Sequence, residues 1–242
     1  MAENKFYAQF GEDKILYNLF NQKTDGICVE VGGYDGVTGS NTYFFEQLGW
    51  KCLIVEPMPE YCKKIKCIRN CEVAEIAASD TKGNVNFYVA EGVETLSTME
   101  NDAAHFKRID KEGARGIKEI RVKTDLLTRI LLDRGISQVD FLTLDVEGHE
   151  LSALSGLSFE QIKPRILIIE DNSLGASDEV KEFMSAHSYV RFKRTGCNDW
   201  YAVKGDEFAT LFRILFTEFR IFTYVQLRSL KLFLKKIGFL AK

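Results

Sequence analysis

The stretch GICVEVGGYDGVTGSNT (residues 26–42) decides how the chain is read. Its first part, GICVEVG (26–32), is a short apolar run rich in β-branched residues and ended by glycine. That pattern predicts a strand buried on both faces. The second part carries Glu30, Gly32, Gly33, Asp35, Gly36 and Gly39. Glycines let a backbone turn sharply and approach a ligand closely. Their spacing is not the GxGxxG of a dinucleotide site. The acids Glu30 and Asp35 disfavour a pyrophosphate. They suit a ligand carrying an ammonium and a sulfonium, such as S-adenosylmethionine.

Working outward, helical and strand periods alternate. Residues 10–22 have apolar positions at helical spacing, and 40–50 read as a helix that Ser40 or Asn41 can cap. KCLIVEP (51–57) is a second buried strand stopped by Pro57, and 59–70 is a helix. Strands are expected over 71–79 and 84–90 around the turn DTKG. The polar segment 91–117 reads as a cover over a site. Further on come a strand (120–124), a helix (125–135), a strand (139–145), a helix (149–157), a strand (165–171) and a helix (177–187). Strands at 189–194 and 199–204 flank TGCN, which suits a hairpin. The alternation predicts a doubly wound α/β sheet, mostly parallel, with a closing antiparallel hairpin.

Ligands of open α/β sheets sit beyond the carboxyl ends of the strands. The candidates are therefore the residues that follow each strand. Glu56 follows the second, where an acid holds ribose hydroxyls through two acceptor oxygens. Ser79 and Asp80 follow the third and suit adenine contacts. DVEGHE (145–150) follows the fourth, so Asp145, Glu147 and His149 converge where chemistry would occur. A carboxylate or histidine there can take the proton of a nucleophile under methylation. His149 reads equally well as a surface residue in the first turn of a helix, and Glu150 reads as compensation of the helix dipole. Asp145, Glu170 and Asp171 could hold a hard cation such as Mg²⁺ through oxygen ligands; alternatively they only accept hydrogen bonds.

Bulk composition narrows the class. At 242 residues, 45% hydrophobic and 28% charged, the chain can fill one core around a buried sheet. The six cysteines form no CxxC pair and fit a reducing compartment. No apolar run follows a basic stub at the N-terminus, and no uncharged stretch nears the length of a membrane span. The reading is of a cytoplasmic chain. Between Glu207 and Lys242 lie seven basic residues and two acids, on a chain of net charge −3. An acidic body with a basic tail argues against nucleic-acid binding and for a separate task of the tail.

At these residues the chain resembles the FkbM family of S-adenosylmethionine-dependent methyltransferases, from about Gln9 to Val203. The resemblance rests on QFGED (9–13), VEVGGYDGVTGSNT (29–42), GWKCLIVEP (49–57) and VDFLTLDVEGHELSAL (139–154). It implies the class I methyltransferase fold, Rossmann-like, with seven strands and a final antiparallel hairpin. It implies cofactor contacts at Gln9, Gly32, Asp35, Asn41, Glu56 and Asp145, and O-methylation of sugars or polyketides. Family members often carry a histidine after the fifth-strand glutamate, where this chain has Asp171. The Glu-Asp pair is similar to that of metal-dependent sugar O-methyltransferases.

The methyltransferase domain is read as residues 1–205 and a basic amphipathic helical tail as 206–242. At helical spacing Arg213, Arg220, Arg228, Lys231 and Lys235 fall within an arc of roughly 80°. With many phenylalanines beside them, they suit an anionic membrane surface on the inner face of a membrane. The alternative is a helix packed on its own domain or on a partner copy, as in a homo-oligomer. The expected acceptor is a small molecule, a sugar or a lipid-linked glycan. Two rival readings stand beside this one: a nicotinamide-dependent Rossmann oxidoreductase, and a non-catalytic membrane adaptor that retains the fold.

Overall fold

The computed structural model describes residues 4–99 and 103–236; the last six residues of the tail, Lys242 among them, lie outside the described residues. The chain forms two compact units, the first ending at Glu170 and the second beginning at Asp171.

The first unit opens with α1 (Glu12–Leu19) and β1 (Ile27–Val31), then α2 (Tyr43–Gln47), β2 (Lys51–Glu56) and α3 (Pro59–Ile68). β3 (Glu72–Glu75), β4 (Ala77–Ser79) and β5 (Gly83–Glu91) follow. After a 3₁₀ turn at Glu94–Leu96 come α4 (Ala103–Lys111), β6 (Gly116–Leu126) and α5 (Leu127–Leu132). The unit closes with β7 (Phe141–Leu144), α6 (Glu150–Ser155) and β8 (Ile166–Glu170). Its main sheet is parallel, in the order β3-β2-β1-β7-β8. β1, β2, β7 and β8 are buried along nearly their whole length, which is why their sequences are nearly continuous apolar runs; the edge strand β3 is largely exposed. The chain winds one way from β1 to β3 and the other way from β7 to β8. The switch between β1 and β7 opens a crevice at their carboxyl ends.

Three expectations are corrected here. The single strand expected over 71–79 is two. Ile76 donates to the carbonyls of Glu56 and Ala74, and the chain then leaves the main sheet. β4 joins a second sheet of order β4-β6-β5, in which β5 and β6 pair antiparallel from Gly83↔Thr124 to Glu91↔Gly116. The strand expected at 120–124 is thus the middle of a longer ribbon. The helix expected over 40–50 is shorter, because Ser40 and Thr42 are tied to Glu30; Ser40 Oγ still accepts the N–H of Tyr43 at 3.1 Å.

An aromatic cluster packs beneath β1 and β7. Phe45 lies 4.7 Å from Trp50 and 4.8 Å from Phe141, ring centre to ring centre, and Phe20 meets Trp50 edge-on at 5.6 Å. Phe45 and Phe141 are fully buried.

The second unit holds α7 (Glu179–Ala186), the antiparallel pair β9 (Tyr189–Thr195) and β10 (Asn198–Val203), and α8 (Leu211–Lys236). The hairpin turn falls where TGCN predicts it. The unit boundary at Glu170 differs from the boundary read near residue 205. The tail helix packs on its own hairpin: Thr217 Oγ1 donates to the carbonyl of Phe192, and Ile221 is buried.

Phe141→Ala removes a fully buried ring from under the switch point and should cost about 3–5 kcal/mol. Urea unfolding of wild type and variant measures this; a loss well under 1 kcal/mol would contradict the packing described.

Candidate functional site

The site is built at the crevice between β1 and β7. Gly32, with φ of +89°, carries the chain off the end of β1 directly across the end of β7. A methyl group on Gly32 would stand 1.8 Å from the carbonyl oxygen of Asp145. Only glycine permits this approach. The amide of Gly32 donates to Val55 and that of Asp145 to Val31, so the ends of three strands are stitched together.

Glu30 organises the loop. Its buried carboxylate accepts from Ser40 Oγ (2.7 Å), Thr42 Oγ1 (2.6 Å) and the amide of Asn41 (2.8 Å). Behind it lies the buried guanidinium of Arg69, 3.6 Å from Glu30, 2.6 Å from Glu46 and 2.9 Å from the carbonyl of Gly36. A buried charge needs such partners to be tolerated. Asp35 accepts from the amides of Val37 and Thr38 and from Thr38 Oγ1. Partial burial alone would raise its pKa; these bonds outweigh burial and hold the carboxyl below its ordinary range. Glu30 also lines one of the hollows described below, whereas Asp35 lines neither of them. The oxygens of both shape the loop, because a glycine-rich loop with several positive φ values needs local acceptors to hold it.

Two adjoining hollows meet at Gly32, Tyr34 and Asp145. One, of about 100 Å³, has an apolar wall that includes Pro57, Met58, Tyr61, Ala77, Ala78 and Phe87. Glu56 stands in this hollow. It accepts from the amides of Tyr34 (3.0 Å) and Met58 (2.8 Å), and burial pushes its pKa up to about 7. The other hollow, of about 360 Å³, carries more hydrogen-bonding side chains, among them Gln9, Glu30, Thr38, Ser40, Asn41 and Thr143. Asn41 Oδ1 is buried there without a hydrogen-bond partner. Gln9 reaches the lining because Asp13 and Glu12 accept the amides of Tyr7, Ala8 and Phe10 and hold the segment in place.

Three carboxylates gather beyond β7 and β8. One oxygen each of Asp145, Glu147 and Glu170 lies within 4.8 Å of the others, a group that could hold a metal ion. Burial, then mutual repulsion, raises the pKa of Glu147 and Glu170. Asp145 is exposed onto both hollows; desolvation by the protein around its carboxyl raises its pKa, while Glu170 and Arg108 act in the other direction. Arg108 on α4 lies 2.9 Å from Glu147 and supplies one positive charge. Glu147 has a left-handed backbone, φ +52°, in the turn that Glu150 fixes by accepting the amides of Val146 and Gly148. Non-glycine residues held there store roughly 1–3 kcal/mol of strain, a feature that clusters at functional sites.

Some expected members are elsewhere. The carboxylate of Asp171 accepts from the amides of Ser173 and Gly175 and from Arg194, all within the second unit. Glu147 takes its place in the acidic group. Ser79, Asp80 and His149 are not among the residues lining either hollow. Gly156 packs against the carbonyl of Ser79, which turns that segment toward α6. Ser79 Oγ lies 3.3 Å from Ser152 Oγ and 3.4 Å from His149 Nε2, and the Asp80 amide donates to Ser152. The lining at the end of β4 is Ala77 and Ala78 instead. Sequence reasoning missed Tyr34, Tyr61, Phe87 and Arg108. Only the aromatic spacing around the acid Glu56 hinted at the first two, whose rings lie 4.7 Å apart.

A family model described as the methyltransferase FkbM domain matches residues 30–191. No curated protein sequence matches the chain. Among solved structures, a proposed RNA methyltransferase from Pyrococcus horikoshii is 10% identical, covers 81% of each chain and has a TM-score of 0.42. A precorrin-6y C5,15-methyltransferase from Geobacter metallireducens is 12% identical over 78% of this chain and 84% of that one, at 0.39. A SAM dependent methyltransferase from Aquifex aeolicus is 12% identical over 80% and 89%, at 0.38. At such scores these likenesses carry no argument about substrate.

Glu30→Gln removes the more deeply buried of the two counter-charges of Arg69, leaving Glu46, and weakens the loop clamp, at an expected cost of about 2–4 kcal/mol. Chemical denaturation tests this; an unchanged midpoint would contradict the role given to Glu30.

Proposed function

Because the chain belongs to the FkbM methyltransferase family, we propose that it transfers the methyl group of S-adenosylmethionine to a hydroxyl of a sugar or glycan, with lipid-linked glycans presented at a membrane surface among its acceptors. The observation that carries the reading is the paired hollow joined at Gly32 and Asp145, half apolar and half polar. Its lining matches a site that must bury an aromatic base and fix a few charged groups.

The residues fit the cofactor in both halves. The apolar wall of Met58, Tyr61, Ala77 and Phe87 suits adenine. Glu56, at the end of β2, has oxygens with remaining lone pairs for the ribose hydroxyls. The orphaned Asn41 Oδ1, with Gln9 beside it in the polar hollow, is an acceptor for the ammonium of the amino-acid end. Glu30 and Asp35 contribute by holding the loop, and Gly32 by letting it approach. When bound, the cofactor supplies an electrophilic methyl carbon on a sulfonium.

The chain's own contribution to the reaction is proton transfer and placement. Asp145 faces the junction of the hollows, and it shares hydrogen bonding with Glu170. A carboxylate there accepts the proton of an acceptor hydroxyl as the oxygen attacks, and desolvation by the surrounding protein makes it more basic than an isolated acid, against the lowering effect of Glu170 and Arg108. Arg108 orients Glu147 and offsets part of the burial and repulsion that raise its pKa. A hard cation such as Mg²⁺, where used, would be held by Asp145, Glu147 and Glu170 and would lower the pKa of the acceptor hydroxyl. His149 and Ser79 would then support the turn behind Asp145. The oxidoreductase alternative is disfavoured by the family and by the glycine spacing. The adaptor alternative predicts cofactor binding without turnover.

Calorimetry separates these readings. S-adenosylmethionine should bind and nicotinamide cofactors should not, and Glu56→Ala should weaken binding at least tenfold, or about 1.4 kcal/mol. The ionised form of Glu56 accepts the ribose hydroxyls, and its pKa of about 7 leaves it protonated at acid pH. Affinity should therefore rise with pH through about 7, and this dependence should vanish in Glu56→Gln. Binding of a nicotinamide cofactor in place of S-adenosylmethionine would end the proposal. Asp145→Asn should retain cofactor binding and lower turnover by at least about a hundredfold on a responsive glycan. A chelator removes turnover only if the acidic group works with a cation.

A further inference from the structure

The helix α8 divides into three faces, each with a different environment. The first packs on β9. Thr217 donates to the carbonyl of Phe192 at 2.9 Å, Ile221 is buried, and Glu218 accepts from Arg191 at 2.9 Å and from Lys181 at 2.8 Å. Arg191 is itself buried and also bonds Asp199 at 2.7 Å, so this face is anchored in the unit's own polar network.

The second face is apolar and bare. Phe212, Phe216, Phe219, Phe222, Leu227 and Leu230 are each between 51% and 76% exposed. At 100° per residue these six fall within an arc of about 140° along a helix roughly 39 Å long. Soluble proteins rarely leave so continuous an apolar surface open to water.

The third face is a basic border. Arg213, Arg220 and Lys231 are exposed and fall within about 20° of one another, along one edge of the apolar stripe. The sole acid between residues 211 and 236 is Glu218, and it is neutralised on the packed face. An apolar stripe edged by cations, with no exposed anion, is complementary to a bilayer with anionic headgroups. No described helix is long and apolar enough to cross a membrane. A second copy is the poorer occupant. Two-fold antiparallel pairing of the stripes would set one basic row beside the other.

We propose that α8 is an in-plane anchor for an anionic lipid surface: the phenylalanine face enters the headgroup–acyl boundary, Arg213, Arg220 and Lys231 meet lipid phosphates, and the opposite face stays docked on β9. This deepens the membrane part of the reading above and does not depend on the methyl-transfer chemistry.

The test is co-sedimentation of the full chain, without cofactor or acceptor, with vesicles of phosphatidylcholine alone or mixed with phosphatidylglycerol. Each border cation should contribute about fivefold, so mixed vesicles should bind on the order of a hundredfold more tightly, and less so as salt is raised. The variant carrying Arg213→Gln, Arg220→Gln and Lys231→Gln should lose most of that preference. The variant carrying Phe219→Glu and Phe222→Glu should bind both vesicle types at least about tenfold more weakly. Both sets of substitutions lie on exposed positions, and an unchanged thermal melt confirms intact folding. Equal pelleting of wild type and both variants overturns the proposal. So does a dimer, seen by sedimentation equilibrium, that the phenylalanine substitutions dissociate while no vesicle is bound. Failure of cofactor binding would leave these outcomes unmoved, so the two readings fail separately.

Discussion

The contact of Gly32 with the carbonyl of Asp145 is the constraint on which the site depends. With a Cβ that would stand 1.8 Å from a backbone oxygen, position 32 admits no side chain. The loop therefore lies flat across the end of β7, and the hollows on either side of it share one floor. Nothing in that loop is stable by itself, since it has left-handed backbone at Gly32, Tyr34, Gly36 and Gly39. The buried Glu30 and Arg69 supply what the loop lacks: acceptors for its hydroxyls and amide, and a donor for its carbonyl. Charge at the end of β1 acts as a structural clamp, and polar oxygens, aromatic rings and Glu56 line the hollows beside it.

The same logic extends to the acids beyond β7. In DVEGHE, Glu150 folds back to bind two amides, Glu147 is forced into a left-handed backbone, and Asp145 is directed to the junction of the hollows. One short motif thus divides its carboxylates between holding the turn and facing the crevice. The crowding raises the pKa of all three members of the group, the condition in which a carboxylate can take up a proton near neutral pH.

Much of this was legible in the sequence. Continuous apolar runs such as CLIVE and ILIIE marked the parallel strands, because a strand covered on both faces has no polar side to show. Glu56 and Asp145 were expected at the crevice because strand ends in this architecture face it, and Asn41 through the family resemblance alone. What the sequence hid depends on tertiary partners. The split at Ile76 has no local signal, since both halves of 71–79 are strand-like and only pairing decides which sheet each joins. Whether Glu30 faces a ligand or its own loop turns on Arg69, thirty-nine residues away in the chain. Asp171 reads as a ligand partner of Glu170, yet Arg194 claims it. In the tail the basic arc was visible, but not that Thr217 and Glu218 would bind the hairpin and leave the phenylalanines outward.

A crystal structure of the chain with S-adenosylhomocysteine bears on the central claim most directly. The account predicts adenine against Met58 and Tyr61, the ribose hydroxyls on Glu56, and the amino group beside Asn41 Oδ1. A complex in which the molecule lies away from the Gly32–Asp145 junction, or in which side chains close that junction to it, would contradict the account.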